Sequence, residues 1–249
     1  MTALSIPRAR GFVLAALAFG VAASLTAMAA EPPLPPPRPA ELGAPDKPAE
    51  APAPPAPAAP KVDATSTCLT KLIASGASAE AESVPATSVE GCGIDSPVRL
   101  SSITGADGDV VSLPDRPVAA CEFALTLADY VRLIVAPLGQ AMLHAKVAAI
   151  ETGPGYTCRT QDHIAGAKIS AHAKGLAVDF IAITFDDKRR ILVERQASAD
   201  EASYFRAIRT AACGWFTTVL GPGSDAFHAN NMHLDIEPHG SSGSYRVCQ

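Results

Sequence analysis

The sequence predicts an α+β domain: a small antiparallel sheet flanked by helices and stapled by disulfides. Three observations carry that expectation. Phe123–Leu143 and Ser198–Phe216 repeat apolar residues at helical spacing. Short β-branched, alternating runs lie between and after them, bounded by glycine, proline or aspartate. Six cysteines are scattered through the same region, none in a Cys-x-x-Cys pair.

The chain opens with Arg8 and Arg10, then an uncharged apolar run from Gly11 to Leu25, then Ala27-Met28-Ala29. A positive start, a short apolar stretch and a small-x-small site predict a secretory signal peptide over residues 1–30. The run is short for a membrane span, so an uncleaved anchor is the lesser alternative. No stable membrane insertion is expected after cleavage. Residues 31–63 are dominated by proline and alanine. Such a segment cannot pair its backbone in a ladder and has little to bury, so an extended spacer is expected. The folded domain is then 64–249, secreted across an inner membrane into the periplasm or envelope. Its formal net charge, −5 for the whole chain, comes without any basic cluster. That argues against nucleic acid or an anionic membrane as a partner.

In an oxidising compartment the cysteines should form disulfides rather than a metal cluster. Cys68 with Cys92 reads as a local loop closure, and Cys248 as the tie for the C-terminal tail.

Leu127, Val131, Ile134 and Leu138 form the apolar stripe of the first helix, and Pro137 signals an end or a kink. Ala145–Thr152 reads as a strand closed by Gly153-Pro154-Gly155. Leu176–Phe185 alternates as a second strand. Asp186-Asp187-Lys188 turns the chain back through Ile191-Leu192-Val193. Ser198 can cap the second helix, whose Tyr204, Ile208, Ala211 and Ala212 share a face. Trp215 and Phe216 read as core, not as a sugar-stacking platform. Met232–Ile236 is a last short strand.

The chemistry concentrates in Ser170-Ala-His172-Ala-Lys-Gly175-Leu-Ala177-Val-Asp179. Asp179 sits within a predicted strand and His172 on the loop before it. Gly175 allows the sharp turn that returns His172 to Asp179, and Ala177 leaves room beside the carboxylate. Ser170 is placed to orient the histidine ring. His233 and Asp235 share a face of the last strand. If that strand lies beside Leu176–Phe185, His233 joins the other two. Two histidines and one carboxylate suffice for a catalytic zinc with one open position. Asp235 reads as a supporting group. His144, His163 and His239 carry no partner pattern and read as ordinary polar residues.

The pattern Ser170-x-His172-x-x-Gly175-x-Ala177-x-Asp179 resembles the signature of the LAS-type zinc D-Ala-D-Ala carboxypeptidases and murein endopeptidases. The stretch from Cys68 to Cys248 resembles the bacterial extensin-like C-terminal domain family, which shares that signature. Gly91-Cys92-Gly93, Tyr156-Thr157-Cys158-Arg159, Ala212-Cys213-Gly214-Trp215-Phe216 and Val219-Leu220-Gly221-Pro222-Gly223 support it. The resemblance implies a hedgehog/DD-peptidase-like fold and a zinc ion (Zn2+) held by His172, Asp179 and His233. It implies peptidoglycan peptides as substrate, with Arg159 holding a substrate carboxylate or the developing oxyanion.

The chain departs from that pattern beside its last metal histidine. Related peptidases carry an acidic residue or a histidine at the positions of Asn230 and Asn231. Neither amide accepts a proton at neutral pH. His228 matches a histidine of the murein endopeptidase branch and is the candidate base or transition-state stabiliser. The alternative is a catalytically degenerate peptidase fold that binds the wall or regulates the envelope.

Overall fold

A computed structural model of the chain describes residues 64–249. The expected signal peptide and the proline-rich spacer lie outside the described residues.

The order of elements is α1 (Ala64–Ala74), β1 (Ala77–Ala81), β2 (Pro97–Thr104), β3 (Val110–Ser112) and β4 (Val118–Ala120). The first long helix follows in three pieces: α2 (Cys121–Tyr130), a π-turn (Val131–Val135) and α3 (Ala136–Leu143). Then come β5 (Val147–Thr152), β6 (Ala177–Phe185), β7 (Arg190–Leu192), α4 (Ala199–Ala212), β8 (Thr218–Leu220), β9 (Met232–Asp235) and β10 (Val247–Cys248).

The domain is α+β, but its sheet is neither small nor purely antiparallel. Ten strands run in the order β1-β2-β3-β5-β6-β9-β8-β10, with β4 beside β2 and β7 beside β6. β3 pairs parallel with β5, and β10 pairs parallel with β8. The first four strands escape sequence reading because their apolar periodicity is weak. In β1, Ala-Ser-Ala-Glu-Ala, only Ala77 is fully buried. The last strand is set by its anchors. Cys248 is bonded to Cys213 just after α4, and Arg209 of α4 donates to the Gln249 carbonyl.

Pro137 acts where the sequence places it. A proline has no N–H to give the carbonyl one turn back, so the regular ladder cannot run through it. The chain absorbs this as a π-turn, in which the Ala136 N–H donates to the Val131 carbonyl. In α4, Ser198 Oγ accepts from the Glu201 N–H at 3.2 Å, while Glu201 Oε2 accepts from the Ala197 N–H at 2.7 Å. This reciprocal cap satisfies two N-terminal donors. Tyr130 Oη donates to the Ile208 carbonyl and Tyr204 Oη to the Val135 carbonyl, which ties the two long helical segments together.

The core lies between these helices and the sheet. Tyr130 packs edge-on to Phe216 at 5.2 Å, and Phe185 edge-on to Tyr204 at 5.6 Å. Phe216 is fully buried and Trp215 packs against the same cluster. All six cysteines are paired, as Cys68–Cys121, Cys92–Cys158 and Cys213–Cys248. The expected Cys68–Cys92 closure is therefore wrong. Cys68 lies on α1, which packs against the start of α2, and there it meets Cys121. The Cys248 tie is present. Among the described residues no helix is long and apolar enough to cross a membrane.

Candidate metal centre

Strands β6, β9 and β8 present one face to the core and the other to a cleft. Val178 pairs with Leu234 and Phe180 with Met232, and all four side chains belong to the core. The intervening pairs, Ala177 with Asp235 and Asp179 with His233, occupy the opposite face because strand side chains alternate. Thr218 and Leu220 of β8 continue that face. Asp179, His233, Asp235, Thr218 and Leu220 floor a cleft of about 400 Å³, which His172, Arg159 and His228 also line.

His172 reaches the strand pair from a short 3₁₀ turn, Ala171–Lys174. Ser170 Oγ accepts from the His172 backbone N–H at 3.3 Å and so caps the turn. Gly175 ends it with φ 67°. A Cβ there would come within 2.7 Å of the Ala120 nitrogen, so both conformation and space require glycine.

Acceptor atoms of three side chains then converge. His172 Nε2 lies 3.2 Å from His233 Nδ1 and 3.3 Å from Asp179 Oδ2, and His233 Nδ1 lies 3.0 Å from Asp179 Oδ1. The other nitrogen of each ring is engaged. His172 Nδ1 donates to the Gly155 carbonyl at 3.0 Å, and His233 Nε2 donates to Asp235 Oδ2 at 3.0 Å. With those protons so placed, both inward nitrogens of the neutral rings present lone pairs, beside a carboxylate that also has only lone pairs to offer. Three acceptors aimed at one point are satisfied by a cation. A divalent first-row ion at about 2.0–2.1 Å from tetrahedral ligands separates those ligands by about 3.3 Å. The His172, Asp179 and His233 cluster matches that spacing and can coordinate a metal ion.

The electrostatics agree. Burial pushes the Asp179 carboxyl up, but hydrogen bonds and charge from His172 and His233 outweigh it and hold it well below the carboxylate range. Burial pushes the His233 imidazole down, but Asp179 and Asp235 on either side outweigh it and raise it to about 9. Burial also opposes the Asp235 charge, and its bond to His233 still holds that carboxyl low. A proton on His233 Nδ1 therefore fills the same place between acceptors that a metal ion would.

From its spacing Ser170 is expected to orient the His172 ring. Its hydroxyl caps the turn instead, and the Gly155 carbonyl holds the ring. Gly155 has φ 79°, and a Cβ on it would lie 2.3 Å from the Val118 carbonyl oxygen. The Gly153-Pro154-Gly155 signal was visible, but a role exerted through a backbone carbonyl leaves no side-chain trace. Asp235 does support His233, and is itself braced by Thr217 Oγ1 at 3.1 Å and the Glu237 N–H at 3.0 Å.

Arg159 lines the cleft beside Cys158, whose disulfide to Cys92 fixes that segment. Its Nη1 donates to the Thr160 carbonyl at 3.3 Å, and no carboxylate pairs with it among the described residues. His228 places its ring T-shaped to His233 at 5.5 Å between centroids. Asn231 lines the cleft as well, and its Nδ2 donates to the Phe227 carbonyl and to Asn230 Oδ1. Asn230 is exposed. His163 and His239, read from sequence as ordinary polar residues, also line the cleft. His239 Nε2 is 2.6 Å from Thr218 Oγ1.

The model of the family described as extensin-like protein C-terminus matches residues 66–249. No curated protein and no solved structure matches the chain.

Proposed function

This chain belongs to the family described as extensin-like protein C-terminus, and from that membership and its metal-binding cluster we propose an exported zinc metallopeptidase acting on peptidoglycan peptides. The observation that carries the reading is the convergence of His172 Nε2, His233 Nδ1 and an Asp179 oxygen on one point of an open cleft. Two histidines and one carboxylate are the protein share of a catalytic zinc site with a position left for water. Zinc bound there supplies Lewis-acid polarisation of a carbonyl and acidifies water. The Ser170–Asp179 signature supports kinship with the LAS-type peptidases and their hedgehog/DD-peptidase-like fold. Residues 1–30 export the chain to the periplasm or envelope, and residues 31–63 give the domain reach toward the wall.

The remaining residues divide the work. Arg159, which has no carboxylate partner among the described residues, offers its guanidinium to a substrate carboxylate or to the developing oxyanion. His228 Nε2 accepts a proton from the attacking water and returns it to the departing peptide nitrogen. Water thus adds across the C–N bond to leave a carboxylate and an amine.

Asn230 and Asn231 favour one second reading, a degenerate peptidase fold that binds the wall without cleaving it. Incubating the zinc-loaded full chain with cross-linked peptidoglycan fragments and reading released peptides by mass spectrometry separates the two. The peptidase reading expects one bond type to be cut, with activity lost in His172→Ala and lowered at least about 10²-fold in His228→Ala. Retention on the wall with no cleavage contradicts the peptidase reading and leaves the binding one.

A further inference from the structure

Asp225, which no sequence pattern singles out, makes the closest contacts to His228, the cleft histidine whose ring packs against His233. His228 Nδ1 lies 2.8 Å from both Asp225 Oδ1 and Oδ2. The same Oδ1 accepts the backbone N–H groups of Phe227 at 2.8 Å and His228 at 3.1 Å. The carboxylate is therefore locked to the turn that carries the histidine, although its side chain is 42% exposed. His228 is more covered, at 15%, and its ring stands against His233 in the cleft. Among the described residues nothing hydrogen-bonds to His228 Nε2.

The chemistry of the pair follows from donor and acceptor rules. A carboxylate only accepts, so the ring nitrogen facing it must carry the proton. Nδ1 is that nitrogen. In the neutral ring Nε2 is then the unprotonated one, and it is the nitrogen left for the cleft. We propose that Asp225 is the positioning residue that holds His228 as its Nδ1–H tautomer, and that the Asp225–His228 pair supplies the base function that the amides of Asn230 and Asn231 cannot. This rests on the peptidase reading for its use, but not for its geometry. Asn231 has a separate task here, since its Nδ2 closes the Phe227–Asn231 turn onto the start of β9.

The test reads the tautomer directly. Long-range proton–nitrogen NMR on the zinc-loaded, nitrogen-labelled full chain, at mildly alkaline pH, distinguishes a protonated from an unprotonated ring nitrogen. The His228 signals are assigned with His228→Gln. The key variant is Asp225→Asn. Its Oδ1 still accepts the two backbone N–H groups, which fill both lone pairs of the amide oxygen, so the turn survives while its amide nitrogen donates to Nδ1 where Oδ2 accepted. The wild-type chain should show Nδ1–H with a bare Nε2, and Asp225→Asn should move the proton to Nε2. In peptide hydrolysis the same variant should lose about 10²-fold in kcat with KM within about twofold, because substrate binding is untouched. Asp225→Glu, which restores an acceptor, should recover the Nδ1–H form. An Nε2–H tautomer in the wild type, or an unchanged tautomer in Asp225→Asn, overturns the inference. Failure of the peptidase reading alone would show as the expected tautomer switch in a chain that cleaves nothing.

Discussion

Asp179 and His233 are a registered cross-strand pair of β6 and β9, with Oδ1 3.0 Å from Nδ1. The register that joins them also puts Val178 against Leu234 and Phe180 against Met232 on the core side. Core packing and metal chemistry thus share one constraint. A one-residue slip of β9 against β6 would turn His233 to the core face and Met232 and Leu234 out of it, so burial of the four apolar side chains holds the site in register.

Asp235→Asn should weaken zinc binding by about 10–100-fold while the fold remains. Asp235 is not a ligand. It fixes which nitrogen of His233 faces inward, through the 3.0 Å bond to Nε2. An amide can present a donor there and favour the wrong tautomer. Competition with a chromogenic chelator measures the affinity, and circular dichroism checks the fold. Unchanged affinity would remove Asp235 from the site.

Zinc uptake at neutral pH should release about one proton, supplied by His233. Its imidazole is raised from 6.5 to about 9 in the metal-free chain by Asp179 and Asp235, against the opposing effect of burial. Titration calorimetry in buffers of different ionisation enthalpy counts that proton, and release should vanish above about pH 9. The sign for stability is the same. A folded pKa above the unfolded one stabilises fully below pH 6.5 and loses that contribution as pH rises through about 9. For the metal-free chain this is on the order of 3 kcal/mol, read as a fall in denaturant midpoint. The lowering of Asp179 describes the same pair and is not added to it. A midpoint flat across that window would contradict the shared proton.

Gly155→Ala should lower both stability and zinc affinity. The new Cβ would lie 2.3 Å from the Val118 carbonyl oxygen and would occupy a positive φ. Strain of that kind costs on the order of 1–3 kcal/mol. Relief by backbone movement would displace the carbonyl that holds His172. Thermal unfolding with and without zinc separates the effects: the melting temperature should drop, and the upward shift with zinc should shrink. A full zinc shift would show that the Gly155 carbonyl is dispensable.

Replacing Cys92 and Cys158 together by serine should cost about 4.4 kcal/mol of stability by the chain-entropy estimate for a separation of 66 residues. Cys158 lies between Gly155 and Arg159, so the loss should also weaken zinc binding. Denaturant unfolding and chelator competition measure the two. Loss of stability with full zinc affinity would confine the disulfide to the fold.

The legible parts of this molecule act through side chains at fixed spacing. His172, Gly175 and Asp179 lie in one short run, and His233 and Asp235 alternate on a strand, so their convergence could be expected. Both long helices were visible from their apolar stripes and from Ser198 and Pro137. What stayed hidden acts through the backbone or through tertiary contact. The Gly155 carbonyl, the pairing of Cys68 with Cys121 and the parallel return of β10 have no local signature. β1, β3 and β4 are short, and β2 breaks its apolar alternation at Ser101-Ser102, so their pairing depends on neighbours that sequence order does not reveal. Asp225 precedes His228 in an irregular loop, where no periodicity points one side chain at another.

The most direct test is the zinc content of the purified full chain by elemental mass spectrometry, beside a His172→Ala control of equal helicity. Near one zinc per wild-type chain and almost none in the control is the expected result. A wild-type chain that holds no zinc after reconstitution with its disulfides intact would contradict the metal centre, and the metallopeptidase reading with it.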